Sequence, residues 1–348
     1  MIFMRRTLTA LALLAGTLAG QTQTPAPATP EAPTIVPGVR EIMYKGWKGS
    51  YVLEAPDADV KVVVTPAVGG RIMEFSYDGK NIMWQAPDAP GRTLETHPKG
   101  FSSGGHQSDI GPELRSPVIP PRQSLFIGPY KGSAPRDMTV RVESEPHAAT
   151  GVQLSREIVL DPLSGELGVL QNIKNISTND VSYCVWDRTL CQGGGFALLP
   201  LPKAKSRFPA KWAIRREAEG KYFYDGVNPQ HENVKIIKNT LVAYCKGEQA
   251  KIGTDSDAGW LAYVKGNLLF IKYFPHSPKG YYSDGGNSIE VYWNQNFAEI
   301  EPLSPEATIK PGNTYSFPEK WVLIELDSDI NTFEQAAELV KKIPPFKF

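Results

Sequence analysis

Between residues 50 and 326 the chain alternates apolar and polar side chains in short runs, each closed by Gly, Pro, Asn or Asp. A strand points successive side chains to opposite faces, so alternation of this kind between turn residues commits a chain to half-buried β-strands. The runs fall at 50–54, 60–64, 70–77, 139–143, 152–160, 167–175, 182–189, 234–237, 241–245, 259–264, 267–274 and 314–326. Hairpin or turn signals lie at Tyr77-Asp-Gly-Lys80, at the polar tip Asn175-Ile-Ser-Thr-Asn-Asp180 and at Val264-Lys-Gly-Asn267. A convincing helical pattern covers 332–342, with Asn331 as its cap, Lys341 and Lys342 at its C-terminal dipole and Pro344-Pro345 as its stop. A weaker helical pattern covers 211–219. The implied fold class is all-β: two stacked antiparallel sheets with long loops and a short C-terminal helix.

The last hairpin carries the densest chemistry. Residues 288–294 and 297–303 read as strands joined by Gln295-Asn296. A two-residue turn sets Glu290 opposite Glu301 and Tyr292 opposite Glu299, with all four on one face beside Asn294. Like charges directly opposite one another destabilise a sheet, so the pairing calls for a shared proton, a cation or a polyhydroxyl ligand.

Arg5 and Arg6 followed by a small apolar stretch and Ala19-Gly20 read as a secretion signal over 1–20, with 21–37 a Pro/Thr/Ala-rich linker and 38–348 the folded domain. The expected location is therefore periplasmic or extracellular. No stretch approaches the roughly 18 apolar residues of a membrane span. The 37 basic and 37 acidic residues balance, and no basic stripe marks a nucleic-acid partner. Export permits one disulfide among Cys184, Cys191 and Cys245, with burial of all three the simpler expectation. Neither metal-spaced histidines nor a phosphate loop is present, so no cofactor is implied. Calcium is the one alternative, because clustered carboxylates suit it and Asp284 and Asn294 stand nearby in sequence.

The order Thr65-Pro-Ala-Val-Gly-Gly-Arg71-Ile-Met-Glu-Phe, Asn172-Ile-Lys-Asn-Ile-Ser177 and Glu299-Ile-Glu301-Pro-Leu-Ser-Pro…Lys310-Pro-Gly312 resembles galactose mutarotase-like proteins, which include the aldose 1-epimerases. Glu319-Lys-Trp321-Val-Leu resembles an exported branch of them. The resemblance spans about 48–326 and implies a β-supersandwich of two large antiparallel sheets with a sugar cleft on one concave face. It also implies a general base at Glu301, with Glu299 as the alternative, and a site residue at Arg188. Where the epimerases present an acid His, this chain reads Tyr183-Cys-Val-Trp-Asp187-Arg188-Thr. His106, in a Gly-rich loop beside Asp109, is the substitute acid.

Arg71, Arg188, Asp187, Glu290, Glu299, Tyr292, Asp109 and His276 are the expected substrate-binding set around a Glu301 base and a His106 acid. The leading functional expectation is a carbohydrate-binding protein, with aldose 1-epimerase action as the enzyme form. A non-catalytic carbohydrate-binding or cell-envelope module is the second reading. Glycoside hydrolysis or polysaccharide lysis is the third, since a facing carboxylate pair also suits that chemistry.

Overall fold

Alternation resolves into two faces along nearly every strand. In Leu167–Asn175 the buried positions are Leu167, Val169, Gln171, Ile173 and Asn175, while the residues between them are exposed or half-exposed. A computed structural model describes residues 37–348 except 116, 117, 204 and 347, so the signal and nearly all of the linker expected over 1–37 lie outside the described residues.

Thirteen strands form the larger sheet. From one edge it runs through Val39–Tyr44, Trp47–Ala55, Val60–Thr65, Arg71–Tyr77, His106–Gly111 and Val181–Gln192. It continues through Phe297–Pro302, Ile289–Trp293, Ala250–Thr254 and Ala213–Ala218 to Lys221–Asp225, with Lys80–Asn81 and Ala307–Ile309 attached at the side. The ten-stranded sheet begins with Val234–Ile237, Thr240–Tyr244, Phe196–Pro200, Trp260–Lys265 and Leu268–Tyr273. It ends with Thr314–Glu325, Leu167–Asn175, Val152–Leu160, Thr139–Ser144 and Tyr130–Arg136. The all-β class with a short C-terminal helix is therefore the observed fold.

Side chains from the facing surfaces fill a single core. Phe75 of the larger sheet meets Phe270 and Trp321 of the smaller one at ring-centroid distances of 5.9 and 6.0 Å. The opposite side of the ten-stranded sheet presents Leu198, Val242 and Ile271, and these pack with Ala336, Ala337 and Leu339 of the C-terminal helical turn. All three cysteines are buried free thiols. Among the described residues no helix is long and apolar enough to cross a membrane.

Several expectations are corrected. Residues 175–180 do not close a hairpin, because Leu167–Asn175 and Val181–Gln192 belong to different sheets. Residues 211–219 are not helical: Ala213–Ala218 is a strand paired with Lys221–Asp225. The helix is Phe333–Glu338, capped by Thr332 and not Asn331; the Thr332 hydroxyl accepts from the Gln335 amide and the Gln335 side chain returns the bond. His106–Gly111 is a strand and not a loop.

Replacing Phe270 by Ala removes a ring from the fully enclosed Phe75–Trp321 cluster. The expected loss of unfolding free energy is about 3–5 kcal/mol, read from urea denaturation of the two proteins.

Candidate functional site

The last hairpin forms in the register its turn dictates: Glu290 pairs with Glu301 and Tyr292 with Glu299. Ile289, Val291, Ala298 and Ile300 enter the inter-sheet core, which turns the acidic residues to the outer face of the larger sheet. Glu290 and Glu301 are both fully buried. The cation that such a pair requires is Lys251, on the neighbouring strand Ala250–Thr254. Its ammonium lies 2.9 Å from Glu290 Oε2, 3.0 Å from Glu301 Oε2 and 3.0 Å from Glu113 Oε2. Burial works against the charge on Lys251, but Glu290, Glu301 and Glu113 outweigh it and hold the ammonium protonated well above its ordinary range.

Trp186 completes the cluster from Val181–Gln192. Its indole Nε1 donates to Glu301 Oε2 at 2.6 Å, and Lys251 and Arg188 each lie 4.7 Å from its ring centroid. The second oxygen of Glu301 is buried and has no hydrogen-bond partner. Beside this centre Glu113 pairs with Arg215 at 2.9 Å; burial pulls the Glu113 carboxyl up, and Lys251 and Arg215 hold it below its usual range. Arg188 donates to Asp109 at 3.1 Å, leaving its buried Nε unpaired. Asn287 donates to Glu290 Oε1 at 3.0 Å, while its own oxygen is buried without a partner.

Burial raises the Glu290 carboxyl to about 8, with Lys251 opposing and Asp284 and Glu301 adding to the rise. Burial and then the charge of Glu301 raise Glu299 to about 7, against the pull of Arg188. The facing carboxylates are thus relieved by two devices at once, a lysine and a retained proton.

His106, Asp187 and His276 fall elsewhere. His106 and Glu301 do not meet. His106 pairs with Thr189, which pairs with Ile300, so all three point into the inter-sheet core while Glu299 and Glu301 point outward. The His106 ring is fully buried, lies edge-on 4.8 Å from Trp321, and contacts the Thr189 hydroxyl through Nδ1 at 3.0 Å. Burial, then the charge of Lys272, pushes its pKa well down, so the ring is neutral. The Gly104-Gly105 pair brings the backbone against neighbouring protein, not a ligand: a Cβ at Gly104 would lie 2.3 Å from the Trp84 carbonyl oxygen.

Asp187 belongs to the same interior. It accepts from Lys272 at 2.5 Å and from Gln171 at 3.0 Å, and Lys272 reaches Glu319 at 3.1 Å. Adjacent in sequence, Asp187 and Arg188 face opposite sides of the sheet and form no ion pair. Asp109 lies on the outer face, bound by Arg122 at 2.8 and 3.0 Å, and cannot orient His106. Arg71 is buried and spends its donors on the carbonyls of Phe126 and Gly104 and on Gln107. Tyr292 donates to Gln249 at 3.1 Å. His276 stacks on Tyr282 in a separate cavity. For calcium, Asp284 accepts from the amides of Glu113 and Leu114, and Asn294 caps its own turn. No metal-holding group of three or more His, Cys, Asp or Glu occurs among the described residues.

The outer face therefore brings together Glu290, Glu299, Glu301, Arg188, Asp109 and Tyr292, and adds Lys251, Glu113, Arg215 and Trp186, whose roles the sequence reading missed. The alternation of Lys251 with Ala250 and Ile252 was the available signal for the lysine.

No protein-family model and no curated protein matches the chain. Solved structures do. A protein from Escherichia coli K12 proposed to be an aldose 1-epimerase superposes with a TM-score of 0.56 at 11% identity, covering 80% of this chain and 100% of that one. A galactose mutarotase-like protein from Lactobacillus casei gives 0.54 at 12% identity over 79% of this chain and 100% of its own. A Synechocystis sp. PCC 6803 protein gives 0.55 at 12% identity, covering 82% and 99%. The chain has the galactose mutarotase-like fold, at a distance in sequence from these structures.

The raised carboxyls fix the sign of a pH effect. A native pKa above the ordinary 4.5 means that the folded state holds protons the unfolded chain has released. Their contribution is whole below about pH 4.5 and is lost as pH rises through about 7 to 8. Wild type is expected to lose more thermal stability between about pH 5 and about pH 8.5 than Glu290→Gln, whose side chain stays neutral, in calorimetric scans of both.

Proposed function

We propose that the protein binds a carbohydrate on the outer face of its thirteen-stranded sheet. The observation that carries this reading is a set of orphaned buried polar atoms on that face: the donor Arg188 Nε and the acceptors Glu301 Oε1 and Asn287 Oδ1. Buried polar atoms are costly without partners, and a sugar hydroxyl both donates and accepts. Arg188, Glu299 and Glu113 stand partly open at this place and form the approach to it. The mutarotase-like fold supports the same class of ligand. Residues 1–20 support export, which brings the site to glycans outside the cytoplasm.

A second reading, exchange of sugar anomers, has its own support. Glu299 titrates near 7 and lies two residues along the same strand face from Glu301, whose Oε1 is unpaired. Such a pair supplies a proton donor and an acceptor together. In this scheme Glu299 protonates the ring oxygen and Glu301 removes the anomeric hydroxyl proton. His106 takes no part, being on the far side of the sheet.

Calorimetric titration with D-galactose, D-glucose and lactose, joined to NMR anomer-exchange spectra of each mixture, separates the readings. Saturable binding is expected, weakened about 10-fold or more by Arg188→Ala through loss of a charged hydrogen bond. Exchange that is accelerated by wild type and lowered about 100-fold by Glu301→Gln selects the enzyme. Binding without accelerated exchange selects the module, and no binding of any sugar refutes both.

A further inference from the structure

A cavity of about 900 Å3 lies away from the acidic cluster, where Pro202, residues 205–207, 255–259 and 274–282 meet. Its volume lies in the range of small-molecule sites. One wall is aromatic: the rings of His276 and Tyr282 lie parallel within 3° at 5.5 Å, with Phe274 alongside. The other wall is polar. Asp255 is fixed by the Ser206 hydroxyl and the Arg207 amide, each at 2.7 Å, and Asp257 accepts from the Lys203 amide at 3.2 Å.

Three polar groups retain hydrogen-bonding capacity. Asp257 uses only one carboxylate oxygen among the described hydrogen bonds. The Tyr282 hydroxyl, 3.3 Å from His276 Nδ1, leaves Nε2 as the free nitrogen of that ring. The Arg207 guanidinium has one long contact, 3.5 Å to the Gly285 carbonyl. It occupies space that only a glycine leaves open: a Cβ on Gly286, whose φ is +97°, would lie 2.0 Å from Arg207 Nη1.

The charges in the lining cancel, Asp255 and Asp257 against Lys205 and Arg207. An ionic ligand gains little net attraction in such a site. A neutral ring with hydroxyls on its edge and C–H groups on its face suits both walls, stacking on the aromatics and bridging carboxylate to guanidinium. We infer that this cavity is a second binding site, for a neutral polyhydroxylated ring of the sugar class. The site stands on its own side chains and does not depend on the outer face, although both back onto the segment 284–287. There Gly285 lies close against Tyr224, and Asn287 holds Glu290.

The test follows the histidine ring resonances of the full chain by proton–carbon NMR during titration with D-galactose, D-glucose and lactose, with glucuronate as the charged control. His276 is identified by the signal missing from His276→Gln, and it is the one histidine of five in the cavity lining. A saturable shift of the His276 signal by at least one neutral sugar, with His97, His147 and His231 unmoved, is expected. Asp257→Asn should weaken that response about 5-fold or more, and Arg188→Ala should leave it unchanged. A stationary His276 signal up to about 100 mM of each neutral sugar overturns the inference, as does a response to glucuronate alone. With the His276 signal assigned, the wild-type titration decides even if Asp257→Asn or Arg188→Ala fails to fold. Failure here leaves calorimetric binding that depends on Arg188 intact, so the two sites stand or fall separately.

Discussion

The ammonium of Lys251 makes the centre of the larger sheet possible. The hairpin register forces Glu290 and Glu301 face to face, and unit charges about 4 Å apart repel by roughly 4 kcal/mol at an effective dielectric of 20. Lys251 touches both carboxylates and Glu113 within 3.0 Å, setting three attractions against that repulsion. The indole of Trp186 and the proton held by Glu290 complete the compensation. What remains unpaired in this cluster are three buried polar atoms, Arg188 Nε, Glu301 Oε1 and Asn287 Oδ1.

Strand parity divides the polar residues of the sheet into two systems. Outward positions build the carboxylate–lysine face. Inward positions join residues of the ten-stranded sheet in a buried network in which Lys272 meets Asp187 and Glu319, Gln171 bridges the same two acids, and His106 lies against Trp321. Trp321 also donates from its indole to Glu319 at 2.7 Å, so this network is tied into the aromatic core. Residues one apart in sequence, Asp187 and Arg188, serve different systems. An imidazole in the inner one is a structural element of the sandwich, held neutral by its surroundings.

Legibility in the sequence followed the strength of local signals. The Glu290–Glu301 register was readable because a short turn fixes pairing without tertiary information. Leu167–Asn175 and Val152–Leu160 were readable to the residue because apolar residues recur at alternate positions, 152, 154, 158 and 160 and then 167, 169 and 173, with Arg156, Gln171 and Asn175 as the polar exceptions. His106–Gly111 was not, since its sequence His-Gln-Ser-Asp-Ile-Gly holds one aliphatic residue and its inward positions are mostly polar. Ala250–Thr254 escaped for a related reason: Ala and Gly weaken the strand signal, and with it the lysine was lost. That Asn175–Asp180 links two sheets depended on packing that no local turn chemistry encodes.

The most direct test of the central role of Lys251 is a charge-removal cycle in urea. Lys251→Met alone should lose about 3–5 kcal/mol of unfolding free energy, because it strands buried carboxylates. Combined with Glu290→Gln and Glu301→Gln, the same change should recover most of that loss. A neutral single variant, or a combined variant no more stable than Lys251→Met, would contradict the account.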